Sequence, residues 1–177
     1  MDRTPRNRRV PHHFQQTEHT CGPAAMRMVL HALLGRDEPE AELAATLGTE
    51  PARGTWHHEL ATFAEREGLR WKVRRGRSTV QDLQDLLDTG HVVVVCYWIP
   101  EDRTDHYALV KAVSDTEIRL LDPWYGPDHR MPLAAFVRNW RSDRAFPLRQ
   151  DRWIMAIRPP DSQPPRGTSG PRPAGSA

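Results

Sequence analysis

The apolar positions change period partway along the chain. Over 21–35 they keep a helical spacing. At about 100° per residue, Cys21, Ala24, Ala25, Met28 and Ala32 share one side, while Arg27 and His31 lie four apart on the other. Val29, Leu30, Leu33 and Leu34 fill the flanks, so only a narrow polar stripe remains, and the pattern predicts the buried central helix of a domain, stopped by Gly35. Helical spacing returns over 40–47 through Ala41, Ala44, Ala45 and Leu47, with Gly48 as the stop. A third helix follows Gly54-Thr55, with Thr55 as N-cap, Leu60, Phe63 and Ala64 on its apolar side and Gly68 at its end. Ser78 and Gln81 match a capping box ahead of Val80, Leu83, Leu86 and Leu87, with Gly90 closing a fourth helix.

The second half reads as strands. Residues 69–74 alternate apolar and basic, the pattern of a strand with one wet face. Residues 91–99 form an unbroken β-branched and aromatic run, which predicts a central strand with Cys96 buried in it as a structural thiol. Residues 106–113 and 117–122, joined through Ser114-Asp115-Thr116, predict a hairpin. An aromatic turn spans 123–127, Pro132 starts a short helix with Leu133, Phe136, Val137 and Trp140, and 152–158 reads as a last strand. Helices first and strands later is the order of an α+β fold, not the alternation of a parallel sheet.

Composition sets the boundaries. The chain has 177 residues, 38% of them apolar, enough for one core. Residues 1–11 read as a disordered basic arm, 12–158 as a single domain, and 159–177 as a disordered proline, glycine and serine tail. The 25 basic and 23 acidic residues nearly cancel, and Arg3, Arg6, Arg8 and Arg9 crowd the arm, so the folded part lacks the basic face that duplex binding requires and no nucleic-acid partner is expected. No long apolar run and no apolar segment after Arg8-Arg9 point to a membrane or export signal, and the expected location is cytoplasmic. With only Cys21 and Cys96, a disulfide framework is ruled out.

The candidate chemistry starts at Cys21, where a polar loop meets the first helix. Unpaired N–H groups and partial positive charge at a helix N-terminus favour a thiolate over a thiol. The helix tolerates Pro23 in its first turn, and Gly22 allows close backbone approach. A thiol nucleophile needs a base, a group orienting that base, and donors for an oxyanion. The hairpin offers the first two. If its turn centres on Ser114, His106 faces Asp122 directly; if Val113 pairs with Glu117, the two are diagonal and still in reach. Gln15, six residues before Cys21, can fold back as the amide donor, with Gln16 the competitor. The nine histidines include the adjacent pairs His12-His13 and His57-His58, whose side chains point apart on regular structure, so no metal site and no cofactor is expected.

Gln15, the run Cys21-Gly22-Pro23-Ala24-Ala25, Met28, Gly54-Thr55 before a helix, Asp105-His106-Tyr107-Ala108-Leu109-Val110 and Leu121-Asp122-Pro123-Trp124 resemble, in order and spacing, the peptidase C39 family in its broader C39-like form. The resemblance implies a papain-like α+β fold, with cysteine on the central helix packed against an antiparallel sheet that carries the histidine and aspartate, and a glutamine in the oxyanion hole. Position by position these are Cys21, His106, Asp122 and Gln15. Thr20 stands where bacteriocin-processing members usually have an acidic residue, and Asp105 where many C39-like chains have glycine. The expected function is a cysteine peptidase acting on a peptide or protein substrate through an acyl-enzyme, with any export role depending on a separate transporter. The alternatives are acyl transfer from the same site and a silent peptide-binding module.

Overall fold

The structure is a computed structural model in which residues 9–142 and 150–160 are described. Most of the arm and the tail lie outside the described residues; within the arm, Val10 packs against the core. The chain order is α1 (Cys21–Leu34), α2 (Glu40–Thr46), α3 (His57–Arg66), β1 (Arg70–Arg74), α4 (Val80–Asp88), β2 (Val92–Ile99), β3 (Thr104–Val113), β4 (Glu117–Asp122), β5 (Gly126–Pro132), α5 (Leu133–Asn139), β6 (Arg141–Ser142), β7 (Gln150–Asp151) and β8 (Ile154–Arg158). Six strands form one sheet in the order β1-β8-β2-β3-β4-β5, every pair antiparallel, and β6 pairs with β7. This is the expected α+β architecture.

The unbroken apolar run of β2 has a simple cause: both of its faces are covered. Val92, Val94 and Cys96 join the core shared with α1, α2 and α3, whereas Val93, Val95 and Tyr97 join a second core with Leu83 and Leu86 of α4 and Phe136 of α5. As predicted, α1 is the central helix, with ten of its fourteen residues buried and Arg27 and His31 on its open stripe. Gly35 ends it at φ 67°, its N–H donating to the His31 carbonyl while Arg36 N–H reaches Leu30.

Several local expectations were displaced. The α3 cap position is Trp56, whose N–H donates to the Glu59 carboxylate; Thr55 instead pairs its hydroxyl with Thr49 Oγ1 at 2.7 Å. The α4 capping box is Thr79 with Asp82, one residue later than Ser78 with Gln81, because Asp82 accepts from both the Thr79 N–H and its hydroxyl. On α2 the buried face is Glu40, Leu43 and Leu47, leaving Ala41 and Ala45 exposed, since two leucines cover more apolar area than the alanines. All of β1 is exposed, with Trp71 at 39% and Val73 at 37%, since this strand, paired only with β8, lies at the margin of the sheet beyond full cover by the helices. Pro132 ends β5, an extra strand within 126–132, and caps α5 instead of starting it.

The start of α1 is seated by its contact with Thr55. A β-carbon on Gly22 would lie 2.5 Å from Thr55 Oγ1 and 2.8 Å from Thr55 Cβ. Gly54, at φ 70°, turns the chain so that Thr55 meets Gly22, and the Thr49 bond holds it there. Replacing Gly22 by alanine is therefore expected to destabilise the fold by about 1–3 kcal/mol, read as a lowered melting temperature in a thermal scan. An unchanged melting temperature would contradict this packing.

Candidate active site

Cys21 is the first residue of α1. That helix end carries no acidic residue in its first turn and no side-chain cap, since the Thr20 hydroxyl donates to the Thr17 carbonyl instead. The partial positive charge at the helix start is thus left for Cys21. Among the described residues a cavity of about 610 Å³ is lined by Gln15, Cys21, His106 and Asp105, with Arg53, Trp56 and Trp124 around it.

His106 and Asp122 meet because of a bulge. At the turn, Val113 pairs with Ile118 and Ala112 with Arg119, a register that would put His106 and Asp122 on opposite faces of the sheet. The register then shifts between Val110 and Ala112, so that Val110 pairs with Leu120 and Leu109 with Leu121. One extra residue, Lys111, restores the shared face. The outcome is the diagonal arrangement of the two expected, reached from a different turn pairing. Lys111 itself donates to Pro127 O and to Asp128 Oδ1.

Asp122 is fully buried, and its carboxylate is fully engaged. Oδ1 accepts from His106 Nε2 at 2.8 Å and from the Trp124 and Tyr125 N–H groups at 2.8 and 2.9 Å, and Oδ2 accepts from the Tyr97 hydroxyl at 2.7 Å. Burial raises the Asp122 pKa, but the bond to His106 and its charge, with the Tyr125 N–H and the Tyr97 hydroxyl, hold it below the usual carboxylate range. For His106, burial works downward and is outweighed by hydrogen bonding to Asp122 and Cys21 and by their charges, which push it up to about 10. With Nε2 committed to Asp122, Nδ1 is the nitrogen left for Cys21.

Gln15 lines the cavity. Its N–H donates to Pro123 O at 2.9 Å and its side-chain NH₂ to Thr17 O at 2.7 Å. Gln16 is exposed, does not line the cavity, and donates its N–H to Glu40 Oε1 at 2.8 Å. Cys96 is buried, and burial pushes its thiol well up.

Three residues here escaped the sequence reading. Tyr97 pairs across the β2–β3 ladder with His106, so aligning that ladder would have found it. His12 donates Nε2 to the Asp122 carbonyl at 2.7 Å. His57, stacked on Trp153, is held neutral, its pKa pushed down to about 3 by burial with a smaller effect of His58; its Nδ1 bonds the Tyr107 hydroxyl, which donates to Thr55 O. No local pattern announces either histidine.

The fold is similar to solved peptidase domains. The peptidase domain of Streptococcus ComA, a bi-functional ABC transporter involved in quorum sensing, matches at 19% identity and TM-score 0.67, over 85% of this chain and 99% of that one. A double glycine motif protease from an AMS/PCAT transporter, solved with its leader peptide, matches at 19% identity and TM-score 0.64, over 86% and 93%. A C39-like peptidase from Bacillus anthracis matches at 15% identity and TM-score 0.65, over 84% and 94%. No curated protein matches the chain. The profile of the peptidase C39 family matches residues 9–147, most of the chain, and the protein belongs to that family.

Proposed function

We propose that the protein is a cysteine peptidase that cleaves a peptide amide through an acyl-enzyme on Cys21. The observation that carries this reading is the buried Asp122–His106 pair opening onto the same cavity as Cys21. His106 Nδ1 holds the proton of the Cys21 thiol in a thiolate–imidazolium pair, and the thiolate attacks the carbonyl carbon. The resulting oxyanion is held by the Gln15 amide and the Cys21 N–H. As the C–N bond breaks, the imidazolium returns its proton to the leaving amine. Water, deprotonated by His106, then releases the acid and regenerates the thiol. Asp122 fixes the tautomer and stabilises the imidazolium.

Exposed Trp124 and Tyr125 beside the cavity, with Phe14 against Gly126, provide an aromatic rim suited to an extended peptide. The transporter peptidase domains that share this fold support a peptide substrate, and a separate transporter is the partner consistent with that reading.

A peptide library digested by wild-type protein and by Cys21→Ala, compared by mass spectrometry, tests the activity. Cleavage is expected only with wild type, and products common to both would sink the reading. Iodoacetamide at neutral pH is expected to modify Cys21 and spare Cys96 until urea is added; equal labelling of the two in the folded protein would contradict an activated Cys21.

Gln15→Ala is expected to lower kcat roughly 10²–10³-fold, while Gln16→Ala, which keeps the backbone N–H, leaves it within a few-fold. The reverse ranking would reassign the oxyanion donor. For pH, His106 carries a raised pKa and Asp122 a lowered one. The ion pair is lost on the alkaline side as His106 deprotonates and on the acid side as Asp122 protonates. Asp122→Asn is expected to move the alkaline limb of kcat/KM to lower pH and to cut kcat by roughly 10²–10⁴-fold; an unmoved limb would show that His106 does not set it.

A further inference from the structure

We propose that His13, His31 and Asp37 form a binding site for a divalent transition metal of the zinc type, separate from the catalytic cavity. His13 Nε2 lies 3.0 Å from His31 Nδ1 and 3.6 Å from Asp37 Oδ1, and the three atoms all fall within 4.8 Å of one another. Ligands about 2.0–2.1 Å from a tetrahedral zinc are separated by about 3.3 Å, so the two measured edges bracket the required spacing. Two imidazoles and a carboxylate are the donor set that zinc and its neighbours in the transition series favour, and a fourth position stays open to water.

The surroundings support the donors. Arg27 Nε donates to Asp37 Oδ1 at 2.6 Å, which fixes the carboxylate beside the two imidazoles and leaves that oxygen's other lone pair for the ion. The ligands come from three separate places: the segment before Gln15, the last turn of α1, and the chain beyond it. Their spacings of eighteen and six residues form no metal motif, which is why the adjacent histidine pairs gave no hint of them.

A metal here staples the segment carrying His13 to α1. His31 stands ten residues from Cys21, about 15 Å along the helix, so the ion does not join the chemistry. It braces the stretch that leads into Gln15. That consequence rests on the proposed role of Gln15; metal binding itself does not.

The test uses the full chain as Cys21→Ala, which removes the active-site thiolate as a competing ligand and makes binding independent of peptidase activity. After chelator dialysis, zinc sulfate is titrated by calorimetry and by competition with a chromogenic chelator. One zinc per chain with low-micromolar or tighter affinity is expected. His31→Ala and Asp37→Asn should each weaken binding by roughly tenfold or more, and exposed His58→Ala should not. Cobalt(II) should give tetrahedral visible bands without a thiolate charge-transfer band. Absence of stoichiometric binding, binding that survives His31→Ala and Asp37→Asn, or equal loss in His58→Ala would overturn the site. Circular dichroism confirms that each variant folds, and the exposed Asp37→Asn carries the test if His31→Ala does not fold.

Discussion

One buried carboxylate organises the site end of the sheet. An ion as deeply enclosed as Asp122 costs several kcal/mol unless its lone pairs are met, and here four donors meet them. Those donors come from different places: Tyr97 on β2, His106 on β3, and the backbone of the turn that follows β4. The carboxylate therefore does more than orient an imidazole. It ties three strands' worth of chain to a single point, and the His12 bond to the carbonyl of the same residue adds the lead-in segment. Removing the charge would loosen all of these at once, so position and protonation at this site cannot be separated.

The thiol is placed by a second device. The start of α1 is seated by the absence of a side chain at Gly22 and by Thr55 opposite it, whose hydroxyl bonds Thr49 and whose carbonyl accepts from Tyr107 of β3. The same helix end lacks an acidic neighbour or a side-chain cap, so its field is not spent on either. The two halves meet at the cavity, where burial would strip His106 of its proton if Asp122 and Cys21 did not outweigh it.

Much of this was legible in the residues. The helical face of α1, the doubly buried β2 and the hairpin of β3 and β4 all follow from period and run length. What was not legible follows from physics that local patterns do not contain. The caps of α3 and α4 each fell one residue late, because which side chain closes a helix depends on partners such as Thr49 and Asp82. β1 looked half-buried from its alternation, and at the sheet margin Trp71 and Val73 are covered only in part, staying 39% and 37% exposed. The bulge at Lys111 has no signature in the sequence, although it alone sets which face His106 and Asp122 share. Glu40 is buried and accepts from the Gln16 N–H, a placement set by a tertiary partner that the helical spacing of 40–47 does not contain.

Gln15 and Gln16 were indistinguishable by spacing, and the backbone separates them. The chain between Gln15 and Cys21 is folded tightly, with Thr17 N–H donating to Thr20 Oγ1, Thr20 N–H to Thr17 O, and the Gln15 amide to Thr17 O. On either side of this fold the segment is fixed in opposite directions: Gln15 N–H is drawn to Pro123 O beside β4, and Gln16 N–H to the Glu40 carboxylate at the start of α2. A segment held by those two bonds turns one glutamine toward the cavity and the other toward solvent. The choice between them is therefore made by Pro123 and Glu40, one next to Asp122 and the other on a helix that never touches the cavity. A single-residue slip of the segment would exchange the two glutamines without changing any residue at the site.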